Sequence, residues 1–495
     1  MVIFVPMTEE AVDCATGAAG EGSAESLISP SSRSASTSMG AVELVALEEG
    51  PATGVEGWSS CNFARLLRLQ RKKSRGSERG GVVCHRQVYQ RGRKRDEATR
   101  RGWKYGGGQL VAWKRHHQNM CKLFLPFTSS YDFVNAEKHT QLDSLLLSQT
   151  IAGHYLPFID SPQKLASEAT LLLSLLPHPD PLPTPPLPKS LNYLTNPISP
   201  QENLAKALSS RGTNNHWVVY SSELDPVAHA IYPSASRAFN HSCAPNAIPV
   251  YIYGDDHQGP KMQVRALERL EKGDEVTVPY IDPAQPYKVR QDVLMMTYGF
   301  VCRCPRCSID QTLQTKIPRS PDSTSAFVAL YPELIRLVFG DFPIPFEGLV
   351  ELPSLHTRPL PDHLLLLKVD SHLPYLSGRF RDASHDQDHI IANETGNALL
   401  ALYLTIYPPA YPVVGHHLLE MTKASWNHYL QVFAPDISSA PARDVLIRAN
   451  VCLKLAEELI PTSQSTGDVL VDGAWESRAA VEMKMLRDLL DAEGR

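Results

Sequence analysis

The stretch "CRCPRC", Cys302 to Cys307, places three thiols within six residues, and this spacing limits the surrounding fold more than any other feature of the chain. Cys302, Cys304 and Cys307 can converge on one ion while Pro305 bends the loop. A structural zinc takes four ligands in a tetrahedron, with sulfur at about 2.3 Å. One ligand is therefore missing locally, and Cys243 in "FNHSCAPN" is the natural fourth. Such a site would join two separated parts of one domain and contribute on the order of 10 kcal/mol to holding them together. Free buried thiols are the alternative. A zinc-dependent deaminase is excluded, because its signature needs His-x-Glu and Pro-Cys-x-x-Cys. Here Pro305 lies inside the Cys-x-x-Cys, and no His-x-Glu occurs anywhere. A nucleophile built from Cys243 and His241 is also disfavoured, since residues so close in sequence seldom face each other and a metal-bound thiolate is occupied.

The nine cysteines are scattered over 495 residues, which is not the pattern of a secreted disulfide framework. The start "MVIFVPMTEEAV" lacks the basic n-region and long apolar run of a signal peptide. A reducing interior, nuclear or cytoplasmic, is the expected location. No apolar run approaches a membrane span. With 43% apolar residues the chain can bury large cores in two or three domains. Its charge is uneven. Of 48 Lys/Arg and 53 Asp/Glu, 17 and 3 respectively fall between Arg65 and Arg115, so the rest of the chain is acidic. That basic segment suits nuclear import or phosphate contacts of a nucleic acid, with a solvated arm as the plainer reading.

Residues 1–112 combine this basic segment with an Ala-, Gly-, Ser- and Glu-rich start, for which disorder is expected over about the first 60 residues. Residues 113–176 carry helical spacing in "EKHTQLDSLLLSQTI" and "SEATLLLSLL". A proline-rich connector spans 177–200. Residues 201–310 contain short β-rich runs such as "HWVVYS", "AIPVYIYG" and "DEVTVPYI", and the sequence predicts a mostly β domain ending in the cysteine cluster. Helical patterns dominate 325–495. The fold class expected is α+β, a mostly β domain flanked by helical regions.

At this point the residues resemble a known family. "IYPSASRAFNHSCAPN", "RALERLEKGDEVTVPYID" and "RQDVLMMTYGFVCRCPRC" are similar, in order and spacing, to the core and post-SET segments of SET-domain protein-lysine methyltransferases of the kind that also carries a MYND zinc finger. The resemblance runs from Asn215 to Cys307. It implies transfer of a methyl group from S-adenosylmethionine to a protein lysine, with histone tails as the obvious substrate class. Carried over, Asn240 and His241 would hold the cofactor, Asn215 would add a polar contact, and Phe300 would pack against the adenine. Tyr280 and Tyr298 occupy the family's tyrosine positions, where they would line a narrow channel and orient the lysine amine. Core packing is the plain alternative for each tyrosine, and local capping for Asn240 and His241.

Two family elements are not found in place. The glycine-rich loop that begins a SET domain has no counterpart beyond "YGGGQL" at Tyr105 to Leu110, inside the basic segment. "AWKRHHQNMC" resembles the end of a MYND finger, with His117 and Cys121 one helical turn apart, but only Cys61, Cys84 and Cys14 remain upstream. Either residues 1–112 do not represent the natural start, or the chain is a diverged, inactive relative that keeps the fold as a scaffold for protein partners.

Overall fold

The computed structural model describes residues 2–6, 52–53, 118–156, 171–180, 183–194, 202–220, 224, 226–252, 261–321, 323–341, 349, 351–433, 439–460, 469–471 and 474–493. The basic segment, "YGGGQL", His117 and the upstream cysteines Cys14, Cys61 and Cys84 lie outside the described residues. The chain forms two interleaved compact units, the first taking residues 1–220, 226–238 and 251–263 and the second the remainder.

In the first unit, strand β1 (Val2–Pro6) runs parallel to β2 (Ala52–Thr53) at one edge of a four-stranded sheet. Part of the stretch expected to be disordered is therefore strand. "VIFVP" is β-branched and aromatic, the composition that fits a pleated surface. Helix α2 (Lys138–His154) carries the apolar positions that the helical spacing marked in "EKHTQLDSLLLSQTI", and α1 (Gln118–Thr128) and α3 (Leu204–Asn215) are further helices of this unit. Asn203 caps α3 by accepting from the Lys206 N–H at 3.0 Å. Leu145, Leu146, Ile151, Leu172, Leu204 and Leu208 meet in one buried core, each side chain stabilising by about 1.5–3 kcal/mol. Within the proline-rich stretch, residues 183–188 form no regular element, Lys189–Leu191 make a short 3-10 turn, and Leu187 is buried in that same core. Strands β3 (His216–Tyr220) and β4 (Pro226–Ile231) are antiparallel, and β4 also pairs antiparallel with β1 from Ile3↔Ile231 to Pro6↔Ala228. Helix α4 (Pro233–Ala238) follows. Ser236 links it back by accepting from Trp217 Nε1 and donating to the Asn215 carbonyl.

In the second unit, β5 (Asn240–His241) lies parallel to β8 (Thr277–Val278), a pairing of only two residues each. Between them in sequence lie β6 (Ala247–Ile252) and β7 (Lys261–Ala266), which form their own two-stranded sheet and are divided by the unit boundary. Residues 201–310, expected to be mostly β, are instead mixed. Strands of two to six residues alternate with α3, α4, α5 (Tyr287–Val293) and α6 (Pro305–Leu313). Prolines account for part of the difference. Pro279 cannot donate to a ladder, so "DEVTVPYI" supplies only Thr277 and Val278 as strand. Pro233 and Pro305 open helices with φ already set, and Pro286 caps α5.

The C-terminal region is helical, as the patterns predict. Helices α7 (Tyr331–Phe339), α8 (His372–His385), α9 (His389–Leu404), α10 (Pro412–His428), α11 (Ala440–Leu459) and α12 (Arg478–Glu493) share a large apolar core that includes Leu364, Leu376, Leu400, Leu418 and Leu453. Two close approaches depend on glycine. A Cβ on Gly396 would come within 2.9 Å of the Phe380 ring, and one on Gly415 within 2.9 Å of Leu459 Cβ. None of the helices among the described residues is long and apolar enough to cross a membrane.

Candidate active site and metal centre

The four cysteines singled out in the sequence converge. The Sγ atoms of Cys243, Cys302, Cys304 and Cys307 all lie within 4.8 Å of one another. A tetrahedron with metal–sulfur bonds of about 2.3 Å needs sulfurs about 3.8 Å apart, so the donor set fits a divalent ion. Local structure explains the convergence. Cys304 caps α6, its sulfur accepting from the Cys307 N–H at 3.5 Å, and Pro305 opens that helix instead of bending a loop. Gln291 on α5 clamps Cys302 through a reciprocal amide pair, Nε2 to the Cys302 carbonyl at 3.1 Å and Cys302 N–H to Oε1 at 2.9 Å. Crowding sorts the protons. Hydrogen bonding from Cys243 pulls the Cys302 thiol far down and the Cys304 thiol down to about 5, while Cys243 itself is pushed up by its bond to Cys302. Thiolates are the form a metal binds.

Beside this centre stand the aromatic residues. His241, Tyr280, Tyr298 and Phe300 form a closed ring of contacts, with centroid separations of 5.3 Å (His241–Tyr280), 5.0 Å (Tyr280–Tyr298), 6.3 Å (Tyr298–Phe300) and 6.0 Å (Phe300–His241). Tyr298 closes a π-helical turn, Leu294–Tyr298, that is capped by Gly299 with φ 75°, and Phe300 follows. Only glycine takes that left-handed conformation at no steric cost. Single π turns of this kind are frequent at functional sites.

The hydroxyls are protonated. Burial pushes both Tyr280 and Tyr298 up to about 12, helped by Glu275 and Tyr280 respectively. The Tyr280 hydroxyl donates to the Phe239 carbonyl at 2.6 Å. Neither phenol can act as a base near neutral pH, and both can orient a partner by hydrogen bonding.

The polar residues expected to hold a cofactor are already engaged. The Tyr280 backbone N–H donates to His241 Nδ1 at 3.0 Å, which fixes the neutral tautomer with the proton on Nε2. That Nε2–H then points at Cys243 Sγ, 3.2 Å away. His241 therefore presents a ring face and its backbone, whereas its nitrogens join the Cys243 sulfur to the backbone at Tyr280. Asn240 donates to Glu275 Oε1 at 2.6 Å. Asn215, in the first unit, donates to the carbonyls of Leu176 and Arg211, both at 2.8 Å.

Sequence reasoning missed the residues that hold the site in register. Asn246, the second amide of "FNHSCAPN", accepts from the Thr277 N–H and donates to the Glu275 carbonyl, both at 2.8 Å. Its only signal was its place beside Pro245. Arg290, Arg306 and Asp310 form a buried charge cluster under the cysteines, and nothing in their spacing announces it.

A zinc-compatible thiol cluster, a tyrosine-bearing turn and a parallel pair of two-residue strands thus lie close together, and comparison with known proteins adds to this. The SET domain family profile matches residues 88–281. Over part of its length the chain is similar to SET-and-MYND lysine methyltransferases. It is 35% identical over 103 residues to N-lysine methyltransferase SMYD2-A of Xenopus laevis, covering 21% of this chain and 22% of that protein. To histone-lysine N-methyltransferase ATXR2 of Arabidopsis thaliana it is 42% identical over 83 residues, 17% of each. To a SET and MYND domain-containing protein of Dictyostelium discoideum it is 36% identical over 96 residues, 19% of this chain and 23% of that one. The chain thus spans about a fifth of the length of these curated relatives.

Proposed function

We propose that the chain transfers a methyl group from S-adenosylmethionine to a lysine side chain of a protein, with zinc as the structural ion at Cys243, Cys302, Cys304 and Cys307. The observation that carries the proposal is the closed ring of His241, Tyr280, Tyr298 and Phe300, with its two protonated hydroxyls, in a chain matched to the SET family. S-adenosylmethionine supplies an electrophilic methyl group on a sulfonium. The fit is one of π faces to a cation and an adenine: Phe300 and the His241 ring would pack against the cofactor, and aromatic faces attract positive charge. Asn240 would have to exchange its Glu275 partner for the ligand, and Asn215 has both amide protons committed.

The chemistry needs alignment more than acid or base. The lysine nitrogen forms the new N–C bond, the C–S bond breaks with its electrons leaving on sulfur, and the amine proton passes to solvent. Low-dielectric aromatic walls favour the neutral, nucleophilic amine. Tyr298 would hold that amine in line with the methyl carbon, and alignment of this kind supplies much of the rate of bimolecular transfers. Histone tails remain the obvious substrate class, since one relative is named a histone-lysine methyltransferase and an acidic body attracts lysine-rich peptides. A nuclear or cytoplasmic location belongs to the same proposal.

A second reading is a non-catalytic scaffold that binds partners through its C-terminal helices. It is favoured by the prior engagement of Asn240, His241 and Asn215. Calorimetric titration of the full chain with S-adenosylmethionine separates the two. Saturable binding that weakens in Phe300→Ala supports the methyltransferase; no binding at millimolar ligand by a zinc-loaded, folded chain supports the scaffold.

A further inference from the structure

Directly beneath the cysteines lies a charge cluster that neither the methyl transfer nor the four thiols explain. Arg290 and Arg306 are 1% and 4% exposed. Both face one carboxylate: Arg290 Nη2 is 2.6 Å from Asp310 Oδ2, and Arg306 Nε is 3.6 Å from the same oxygen. Lys368, from the helical region, sends Nζ to within 3.8 Å of Asp310 Oδ1. Three cations thus share one anion, leaving two positive charges in excess in a poorly hydrated place. Such an excess is strongly unfavourable unless opposed. The Nε atoms of both arginines have no hydrogen-bond partner among the described residues, so the carboxylate does not satisfy the cluster.

The opposing charge is the metal centre. A divalent ion with four thiolates carries two negative charges in excess, equal and opposite to the cluster. The two are in contact, since Arg290 Nη2 lies 3.9 Å from Cys307 Sγ and Arg306 Nη1 lies 3.3 Å from the Cys243 carbonyl. The same Arg306 Nη1 is 3.0 Å from the Ile406 carbonyl, one hundred residues later, in the turn after α9. The next residue, Tyr407, donates its hydroxyl to Asp282 at 3.0 Å. The turn that follows α9 is therefore gripped twice by the segment bearing the site.

We propose that Arg290, Arg306 and Lys368, with Asp310, are the fixed counter-charge of a divalent tetrathiolate, and that Arg306 thereby makes the seating of the Ile406–Tyr407 turn depend on metal occupancy. This rests on the reading of the four cysteines as a metal site. With the ion gone the four sulfurs are no longer held together, so Cys307 and Cys243, which Arg290 and Arg306 meet at 3.9 and 3.3 Å, lose their fixed places and Arg306 loses its seat between Cys243 and Ile406. The C-terminal helices keep their own apolar core but lose their anchor to the site. Arg306 and Lys368 are positioning residues; neither touches the reacting atoms.

The experiment loads the full chain with one equivalent of zinc and follows its transfer to an excess of a coloured chelator, for the unaltered protein, Lys368→Met and Lys368→Arg. Lys368 retains 16% side-chain exposure, so Met can replace it without leaving a cavity. Lys368→Met should release zinc about tenfold faster, the scale on which groups around metal ligands act, and Lys368→Arg should release it at the original rate. A structural role alone would not be rescued by charge in this way. In parallel, amide exchange is compared before and after zinc removal. It should rise at residues 404–407 and stay low in the middle of α11. Equal release rates for Lys368→Met and the unaltered chain would overturn the proposal, as would fast release from both variants. So would exchange at 404–407 that ignores zinc. A chain that binds no zinc at all would remove the metal reading itself, and this inference with it.

Discussion

Residues 239–250 and 264–313 and the helical region after them belong to the same compact unit but are held together by different forces. The first is a set of polar crosslinks between short elements: two strands of two residues, the Asn246 bridge, the Gln291–Cys302 amide pair, four sulfurs and a buried charge cluster. The second is an apolar core of interlocking helices, tightened where Gly396 and Gly415 let neighbours approach. Polar crosslinks fix directions, as a site must; apolar packing fixes volume. The first should thus respond to loss of an ion or a donor, the second to changes of size and of buried charge.

Removing one sulfur should give the largest effect. Cys304→Ser leaves three thiolates, and a structural site of this type contributes on the order of 10 kcal/mol. Metal analysis should fall from near one zinc per chain to near none, with a large drop in the thermal midpoint. Unchanged metal and midpoint would erase the contrast between the two regions.

The helical region should respond to acid. Burial holds His372 and His417 down to about 4, against an ordinary value of 6.5. The unfolded chain takes up these protons as pH falls through about 6.5, and the folded chain only near 4. Stability is therefore complete above about 6.5 and is lost down to about 4, by roughly 1.4 kcal/mol per pH unit per histidine. Denaturant titrations at pH 7 and 5 should show the loss. His417→Gln, able to donate to the Gly396 carbonyl that Nε2 meets at 2.8 Å, should make it shallower.

A size change should cost the helices somewhat less. Gly415→Val would drive atoms into Leu459 and Ile460, a crowding worth about 1–3 kcal/mol. Zinc content should stay the same. A variant that loses zinc would show that the two regions are not separately held.

The smallest effect should come from Asn246→Ala. It leaves the Thr277 N–H and Glu275 carbonyl without their partner, at about 1–3 kcal/mol if water cannot reach them and less at this half-exposed position. The measurement is the chemical-denaturation midpoint.

How much of this was legible in the sequence follows the range of each interaction. The thiol cluster was legible because Cys302, Cys304 and Cys307 lie within six residues, and Cys243, suggested by ligand count, joins them in the structure. Tyr280 and Tyr298 came from the resemblance, and the structure places them in contact. The helices after residue 325 were written in their apolar spacing. Arg306 was not legible, because its meaning depends on a carbonyl one hundred residues away. Neither was the engagement of His241, since its partners are a backbone N–H and a sulfur that any fold could have placed elsewhere. The β content of 201–310 was over-read: apolar alternation says which residues suit a strand, but a strand also needs a partner, and "DEVTVPYI" finds one over only two residues.

If the ring of His241, Tyr280, Tyr298 and Phe300 orients a lysine amine for methyl transfer, Tyr298 must matter to the rate. The most direct test incubates the zinc-loaded full chain with S-adenosylmethionine labelled in the methyl group and a mixture of histones, and compares it with Tyr298→Phe. The account predicts label on lysine with the unaltered chain, and at least a tenfold lower rate with Tyr298→Phe, which is about 1.4 kcal/mol of lost alignment, with folding and zinc content kept. Undiminished transfer by Tyr298→Phe would contradict it.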